Sequence, residues 1–316
     1  MIEQALSVTS GPLTLAATLT LPDGTGPFPA MLLLQGSGPT DRNGNQPPTL
    51  MTDLLKQIAH ALADRGNASL RFDKRGMHAN AAQLPNAAGA LSRFFSVEGQ
   101  LADTEAAWRA LAGAGPVDKR RLGILGHSEG GIYALLASAQ GTIAGDIRSL
   151  VLAATPGRSL AELLREQIAA LARRQGARPE QITQFIAAHD RIVAEIVAHG
   201  RLPGDIPPGL RPLYPAYLLT YLRKLLPLDP AGLAAQTTAP TLVVQGADDL
   251  QVSADTDAWR LLTALRQQPG VPSQLVLLEQ TSHNLKRTAS RDDHAFGGPV
   301  VPPALDAIGD WLARTL

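Results

Sequence analysis

The residues able to do chemistry gather around one serine. In Gly126-His127-Ser128-Glu129-Gly130 a hydroxyl stands between two glycines, and Gly131 follows directly. The G-x-S-x-G spacing is what a sharp strand-to-helix turn requires. The serine takes a strained backbone conformation at the tip, and residues two positions away on either side pass too close to carry a Cβ. A Gly-rich turn ahead of a core helix would read the same way. The chemical reading therefore needs a base for the hydroxyl, an acid to orient that base, and N–H donors for the oxyanion formed on attack.

Four histidines follow Ser128: His189, His199, His283 and His294. The first two lie in helical-period segments and read as surface residues. His283, in "LVLLEQTSHNLK", stands in a loop just after the last apolar run and is the candidate base; His294, in "SRDDHAFGG", is the alternative. With the chain order Ser, acid, His, the acid should follow the penultimate strand. There "TLVVQGADDLQV" offers Asp249, the choice made here, and Asp248 as the alternative. The first oxyanion donor is the backbone N–H of Glu129, and the helix N-terminus adds a favourable dipole. The second is assigned to Ser37 in "QGSGPTDRNGN", Gly38 being the alternative. The Glu129 carboxylate itself reads as solvated, Arg75 and Arg93 being the partners weighed for it.

These residues need a scaffold, and the pattern supplies one. Residues 1–30 alternate around turns at Ser10-Gly11-Pro12 and Asp23-Gly24, which predicts an antiparallel hairpin. Short apolar runs at "FPAMLLLQG", "ASLRFD", "RLGILG", "SLVLAA", "TLVVQG" and "QLVLLE" read as buried strands. Helical segments are predicted over 50–64, near 100–111 and at the C-terminal "LDAIGDWLARTL", with a loop rich in Ala, Asn and Gly before residue 100. Strands alternating with helices predict an α/β fold with a mostly parallel sheet covered on both faces. Ligands of such sheets bind at the carboxyl ends of the strands, where Ser128 falls. One segment breaks the alternation. From about residue 156 to 235 no strand is predicted; Ser159 and Glu162 form a capping box, and two helical periods and a Pro- and Tyr-rich stretch follow. The expectation is one domain over 1–316 with a helical cap inserted at 156–235. Tyr214, Tyr217 and Tyr221 are candidate pocket residues, packing being their other use.

Composition excludes several classes. The 316 residues carry 28 Lys plus Arg and 28 Asp plus Glu, so no net field favours nucleic acid or an anionic membrane. There is no cysteine, which removes disulfides, thiolate metal sites and a thiol nucleophile. Neither a zinc-binding H-E-x-x-H, a calcium loop, a dinucleotide fingerprint nor a P-loop is present, and no cofactor or metal is expected. No apolar run reaches the ~20 residues that span a bilayer. The N-terminus lacks the basic start and apolar block of a signal peptide, so the expected location is cytoplasmic, an exported form trimmed of its signal being the alternative. No feature points to an oligomeric state.

In order and spacing, "LLLQGSGPTDRNGN", "RFDKRGM", "VDKRRLGILGHSEGG", "APTLVVQGADDLQV" and "TSHNLK" resemble the bacterial carboxylesterases of the α/β-hydrolase fold. Serine-aminopeptidase-like and prolyl-oligopeptidase-like hydrolases are related to that group. The resemblance covers most of the chain outside the helical insert. It implies Ser128 as nucleophile, Asp249 as acid, His283 as base and the amides of Ser37 and Glu129 as oxyanion hole. The family's D-x-R-G-x-G-x-S stretch departs here: Asp73-Lys-Arg-Gly-Met-His-Ala-Asn has His78 in place of the second glycine and Asn80 in place of the serine. The expected activity is hydrolysis of small to medium carboxylic esters, with a small-molecule ester as partner. The alternatives are a peptidase, amidase or acyltransferase using the same residues, and a ligand-binding module without turnover.

Overall fold

In the computed structural model, which describes residues 1–290 and 292–316, eight strands form one sheet. They are β1 (Ile2–Ser10), β2 (Leu13–Leu21), β3 (Phe28–Leu34), β4 (Ala68–Phe72), β5 (Val117–His127), β6 (Ser149–Ala153), β7 (Thr241–Gly246) and β8 (Ser273–Leu278). Their order is β1-β2-β4-β3-β5-β6-β7-β8. The hairpin β1–β2 is antiparallel and joins β4 antiparallel; every pairing from β4 through β8 is parallel. The chain thus has the α/β-hydrolase architecture that the resemblance implied.

Among the described residues the α-helices are α1 (Leu54–Asp64), α2 (Ala88–Phe94), α3 (Val97–Ala112), α4 (Glu129–Gln140), α5 (Leu160–Arg174), α6 (Pro179–His199), α7 (Leu219–Leu225), α8 (Pro230–Ala234), α9 (Trp259–Leu265) and α10 (Pro302–Thr315). The helix read from residue 50 begins at Leu54, because Asp53 takes φ 46° and is tied to Asn45 by hydrogen bonds at 2.8 Å in both directions. The stretch before residue 100, read as loop, contains α2 and the start of α3. One apolar layer joins Leu54, Ile58 and Leu62 of α1 and Ile308 and Trp311 of α10 to sheet residues such as Met31, Leu125, Val151 and Val244. Helix α4 is buried from Gly130 through Ser138, which is what an apolar surface all round requires. The residue before its first turn, Ser128, thus stands half-buried where β5 ends.

The chain divides into two compact bodies. The first comprises Met1–Gln83, Gln100–Gly157 and Pro230–Leu316, and the second Leu84–Gly99 with Arg158–Asp229. The second body is helical. Its α5 starts at the predicted capping box, Ser159 Oγ accepting from Glu162 N at 3.2 Å while Glu162 Oε2 accepts from Ser159 N at 3.0 Å. His189, expected at the surface, is instead buried inside this body. It lies against Tyr214, and its Nε2 donates to Ala161 O at 3.0 Å. Among the described residues no helix is long and apolar enough to cross a membrane.

Candidate active site

Strand β5 lies between β3 and β6 in mid-sheet, and Ser128 follows its last residue. Its backbone takes φ 54°, ψ −122°, a region non-glycine residues avoid, and its N–H is held by Ala153 O of β6 at 2.9 Å. The glycines explain how the chain tolerates this turn. A Cβ on Gly126 would sit 2.3 Å from Gly130 O, and one on Gly130 would sit 2.4 Å from Leu34 O. Neither obstacle is a movable side chain. A Cβ on Gly131 would meet the side chain of Thr155 at 1.9 Å instead.

Asp249 and His283, predicted from loops after β7 and β8, are brought together. Parallel pairing of β7 with β8 places the two loops side by side, and His283 Nδ1 donates to Asp249 Oδ2 at 2.8 Å. The same oxygen accepts from Gln245 Nε2 at 2.8 Å, while Oδ1 accepts from the amides of Gln251 (2.8 Å) and Val252 (2.9 Å). Burial favours the neutral acid, but the His283 charge and these donors outweigh it and hold the Asp249 carboxyl below its ordinary range. With Nδ1 donating, the His283 Nε2 carries the lone pair that can take a proton. Asp248, the alternative acid, is engaged elsewhere, accepting from Thr288 Oγ1 at 2.6 Å. His294, the alternative base, stacks on Phe296.

His127 completes this flank. Its Nε2 donates to the backbone carbonyl of His283 at 2.9 Å, and its ring lies 4.8 Å from the His283 ring. Burial, reinforced by the nearby His283 charge, pushes its pKa down to about 3, so the ring is neutral and its tautomer is fixed by the carbonyl it serves.

On the other side of Ser128 runs the loop after β3. A Cβ on Gly36 would lie 3.3 Å from Ser128 Cβ, so the backbone at Gly36 passes close to Ser128. Ser128, His283, Gly36, Ser37, Leu50 and Phe296 share the lining of one open cavity of about 70 Å³, room for the few atoms around a scissile carbonyl. The amide of Glu129 opens α4 and belongs to the first turn, whose N–H groups have no acceptor within the helix. The Glu129 side chain is not solvated as expected: it is largely buried, with Oε1 3.7 Å from Lys74 Nζ. Arg75, one of the arginines weighed for it, forms a two-pronged pair with Asp103 at 2.7 and 2.9 Å.

Departures from the D-x-R-G-x-G-x-S pattern have local reasons. His78 takes φ 49°, the left-handed conformation for which glycine is ordinarily used, and its Nε2 donates to Pro39 O at 2.7 Å. Asn80 is buried and bridges three segments: its Oδ1 accepts from Ala16 N at 2.9 Å and its Nδ2 donates to Asp73 O at 2.8 Å and Lys74 O at 3.2 Å.

The three candidate pocket tyrosines all lie in the second body. Tyr214 is buried against His189, Tyr221 is buried within α7, and Tyr217 is 44% exposed with its ring 5.9 Å from that of Phe95. Three residues escaped the sequence reading: His127, Gln245 and Lys74. A glutamine inside the otherwise apolar "TLVVQG" was the one visible signal, since a buried amide needs a partner.

No family model matches the chain. In sequence it is similar to the esterase EstD of Thermotoga maritima, 27% identical over 307 residues, which cover 95% of this chain and 66% of that protein. The chain therefore spans slightly less than two thirds of the length of that relative. In structure it is similar to Est1E from Butyrivibrio proteoclasticus, with a TM-score of 0.58 and 16% identity over 98% of both chains. It is likewise similar to the α/β hydrolase GrgF from Penicillium sp. sh18, with a TM-score of 0.61 and 19% identity over 100% of this chain and 99% of that one. Strand order, the strained serine turn and these likenesses together place the chain among the proteins of the α/β-hydrolase fold.

Proposed function

We propose that the chain is a serine carboxylesterase that hydrolyses small to medium uncharged esters. The observation that carries this reading is the His283–Asp249 hydrogen bond of 2.8 Å, in a cavity that His283 lines together with a serine at φ 54°. Ser128 Oγ attacks the ester carbonyl, and His283 Nε2 takes its proton. Asp249 holds the imidazole in the required tautomer and stabilises its charged form. The oxyanion of the tetrahedral intermediate is met by the amides of Ser37 and Glu129. His283 then returns the proton to the leaving alcohol, the acyl group stays on Ser128, and water activated by the same imidazole releases it. No bound group has to supply any of these steps. Within this reading the helical segment 156–235 is a cap that selects substrates, and Tyr217, the most exposed of its three candidate residues, is the one whose replacement is expected to shift the preferred acyl length.

The test is hydrolysis of a p-nitrophenyl ester series, acetate to decanoate, by the protein and by Ser128→Ala. A burst followed by turnover is expected from the first and neither from the second. Equal inertness of both, with no labelling of Ser128 by a fluorophosphonate, would overturn the reading. Labelling without ester turnover would redirect it to amides or peptides.

A further inference from the structure

Lys74 follows β4 by two residues and has its ammonium almost wholly buried beside the serine turn. A cation taken from water into such a place is costly unless acceptors surround it. Its three acceptors are unusual in where they lie. Nζ donates to Gly36 O at 2.6 Å and to Gly38 O at 3.1 Å, and Glu129 Oε1 stands at 3.7 Å. Gly36 and Gly38 flank Ser37, and Glu129 follows Ser128, so one buried charge touches the backbone of one assigned oxyanion donor and the side chain of the other.

A trans peptide points its C=O and the following N–H in opposite directions. Drawing the Gly36 carbonyl onto Lys74 therefore turns the Ser37 N–H away from the lysine. The loop allows little else. Ser37 O accepts from Thr40 Oγ1 at 2.8 Å and Gln46 Nε2 at 3.1 Å, and Gly38 O also accepts from Thr40 N at 2.9 Å. Three successive carbonyls are thus held by fixed donors, and a peptide that cannot flip cannot lose the direction of its N–H. Gly36 is also the residue of this loop on which a Cβ would stand 3.3 Å from Ser128 Cβ.

We infer that Lys74 is a positioning residue for the oxyanion hole: its ammonium anchors the Gly36 and Gly38 carbonyls so that the Ser37 amide is set before substrate arrives, with Glu129 as its counter-charge. The inference rests on the esterase reading. A preset donor acts on the transition state rather than on substrate binding, since its value lies in not having to reorganise when the charge develops. Burial lowers the Lys74 pKa while Glu129 opposes the shift, as befits a charge held where it is needed rather than where it is solvated.

The experiment compares Lys74→Met and Lys74→Gln with the parent protein on its best p-nitrophenyl ester. It measures kcat, KM and the inhibition constant of a trifluoromethyl ketone, whose hemiketal oxyanion occupies the same hole, with thermal unfolding run on each variant. Misaligning one of two donors is expected to cost about 10- to 100-fold in kcat, below the ~10²–10³ of deleting one. KM should stay within about threefold, and ketone affinity should fall in proportion to kcat. Lys74→Gln keeps one donor and should recover part of both losses; it also carries the test alone if Lys74→Met does not fold. A folded variant with parental kcat, or with lowered kcat and unchanged ketone affinity, would overturn the inference. A parent protein that neither turns over esters nor labels at Ser128 would instead sink the esterase reading, so the two failures are distinguishable.

Discussion

The two flanks of Ser128 solve different problems with different materials. On the β7–β8 side the hydrogen bonds converge on a pair of side chains: Gln245 and two backbone amides fix Asp249, Asp249 fixes the His283 ring, and His127 holds the His283 carbonyl. On the β3–β4 side, side chains hold backbone: Lys74, Thr40 and Gln46 grip the carbonyls of residues 36–38. A base must be held in one tautomer yet gain and lose a proton, so its support is a chain of hydrogen bonds to the ring. An oxyanion donor never changes protonation and needs only a fixed peptide plane, so its support reaches the far end of that plane. The acid–base flank should accordingly fail steeply when one link is cut, and the donor flank should fail by degrees.

The largest expected effect tests the steep side. Asp249→Asn keeps the shape of the acid but cannot hold the required tautomer of His283, and a loss of about 10⁴-fold in kcat is expected. Asp248→Asn, which leaves the hydrogen bond to His283 intact and disturbs only the contact with Thr288, should stay within about threefold. Steady-state kinetics of the two variants decide the matter. A larger loss in Asp248→Asn would reassign the acid and dissolve the contrast between the flanks.

Between the flanks lies the turn itself, and its glycines divide by what they touch. Overpacking costs about 1–3 kcal/mol where neighbours can adjust. Gly131→Ala meets the Thr155 side chain, so the double variant Gly131→Ala/Thr155→Gly should recover much of that loss. Gly130→Ala meets the Leu34 and Gln35 backbone at 2.4–2.8 Å, and no side-chain deletion should recover it. Urea midpoints of the three variants measure this; a Gly130→Ala as mild as Gly131→Ala would show that the backbone of the donor flank yields more readily than its anchoring implies.

Legibility in the sequence follows the same division. Ser128, Asp249 and His283 were nominated because strand ends, chain order and the G-x-S-x-G spacing single them out, and the parallel pairing of β7 with β8 does bring the Asp249 and His283 loops together. Ser37 was nominated only from a Gly-rich strand exit. The contacts of Lys74 were invisible in the sequence: a buried lysine that grips backbone carbonyls leaves no pattern, because every residue has a carbonyl. The Glu129 carboxylate was misread as solvated for the related reason that its partner comes from another strand's end. His189 was misread as a surface residue because helical periodicity reports which face turns inward only when apolar residues mark it, and here the inward residue is an imidazole satisfied by Tyr214 and Ala161. Helix α2 was missed because "NAAGALSRFF" mixes helix formers with turn residues in a short span.

The smallest effect at neutral pH concerns His127, and it becomes large only in acid. In the folded protein its pKa is about 3, against 6.5 when unfolded. Between these values the unfolded chain binds a proton that the folded one refuses, so stability rises with pH across the window and is lost as pH falls from about 6.5 toward 3, at up to ~1.4 kcal/mol per pH unit. His127→Gln keeps a donor for the His283 carbonyl but cannot titrate. Above pH 7 its urea midpoint should lie near the parental one and kcat should drop only a few-fold. Toward pH 4 the parent should lose stability relative to the variant by an amount that grows with each pH unit. The carboxylates, Asp249 included, are the same in both proteins, so the difference between the two curves isolates His127. Parallel curves would mean that the ring is protonated in the folded state. The β7–β8 flank would then hold a buried positive charge next to the ring that Asp249 orients.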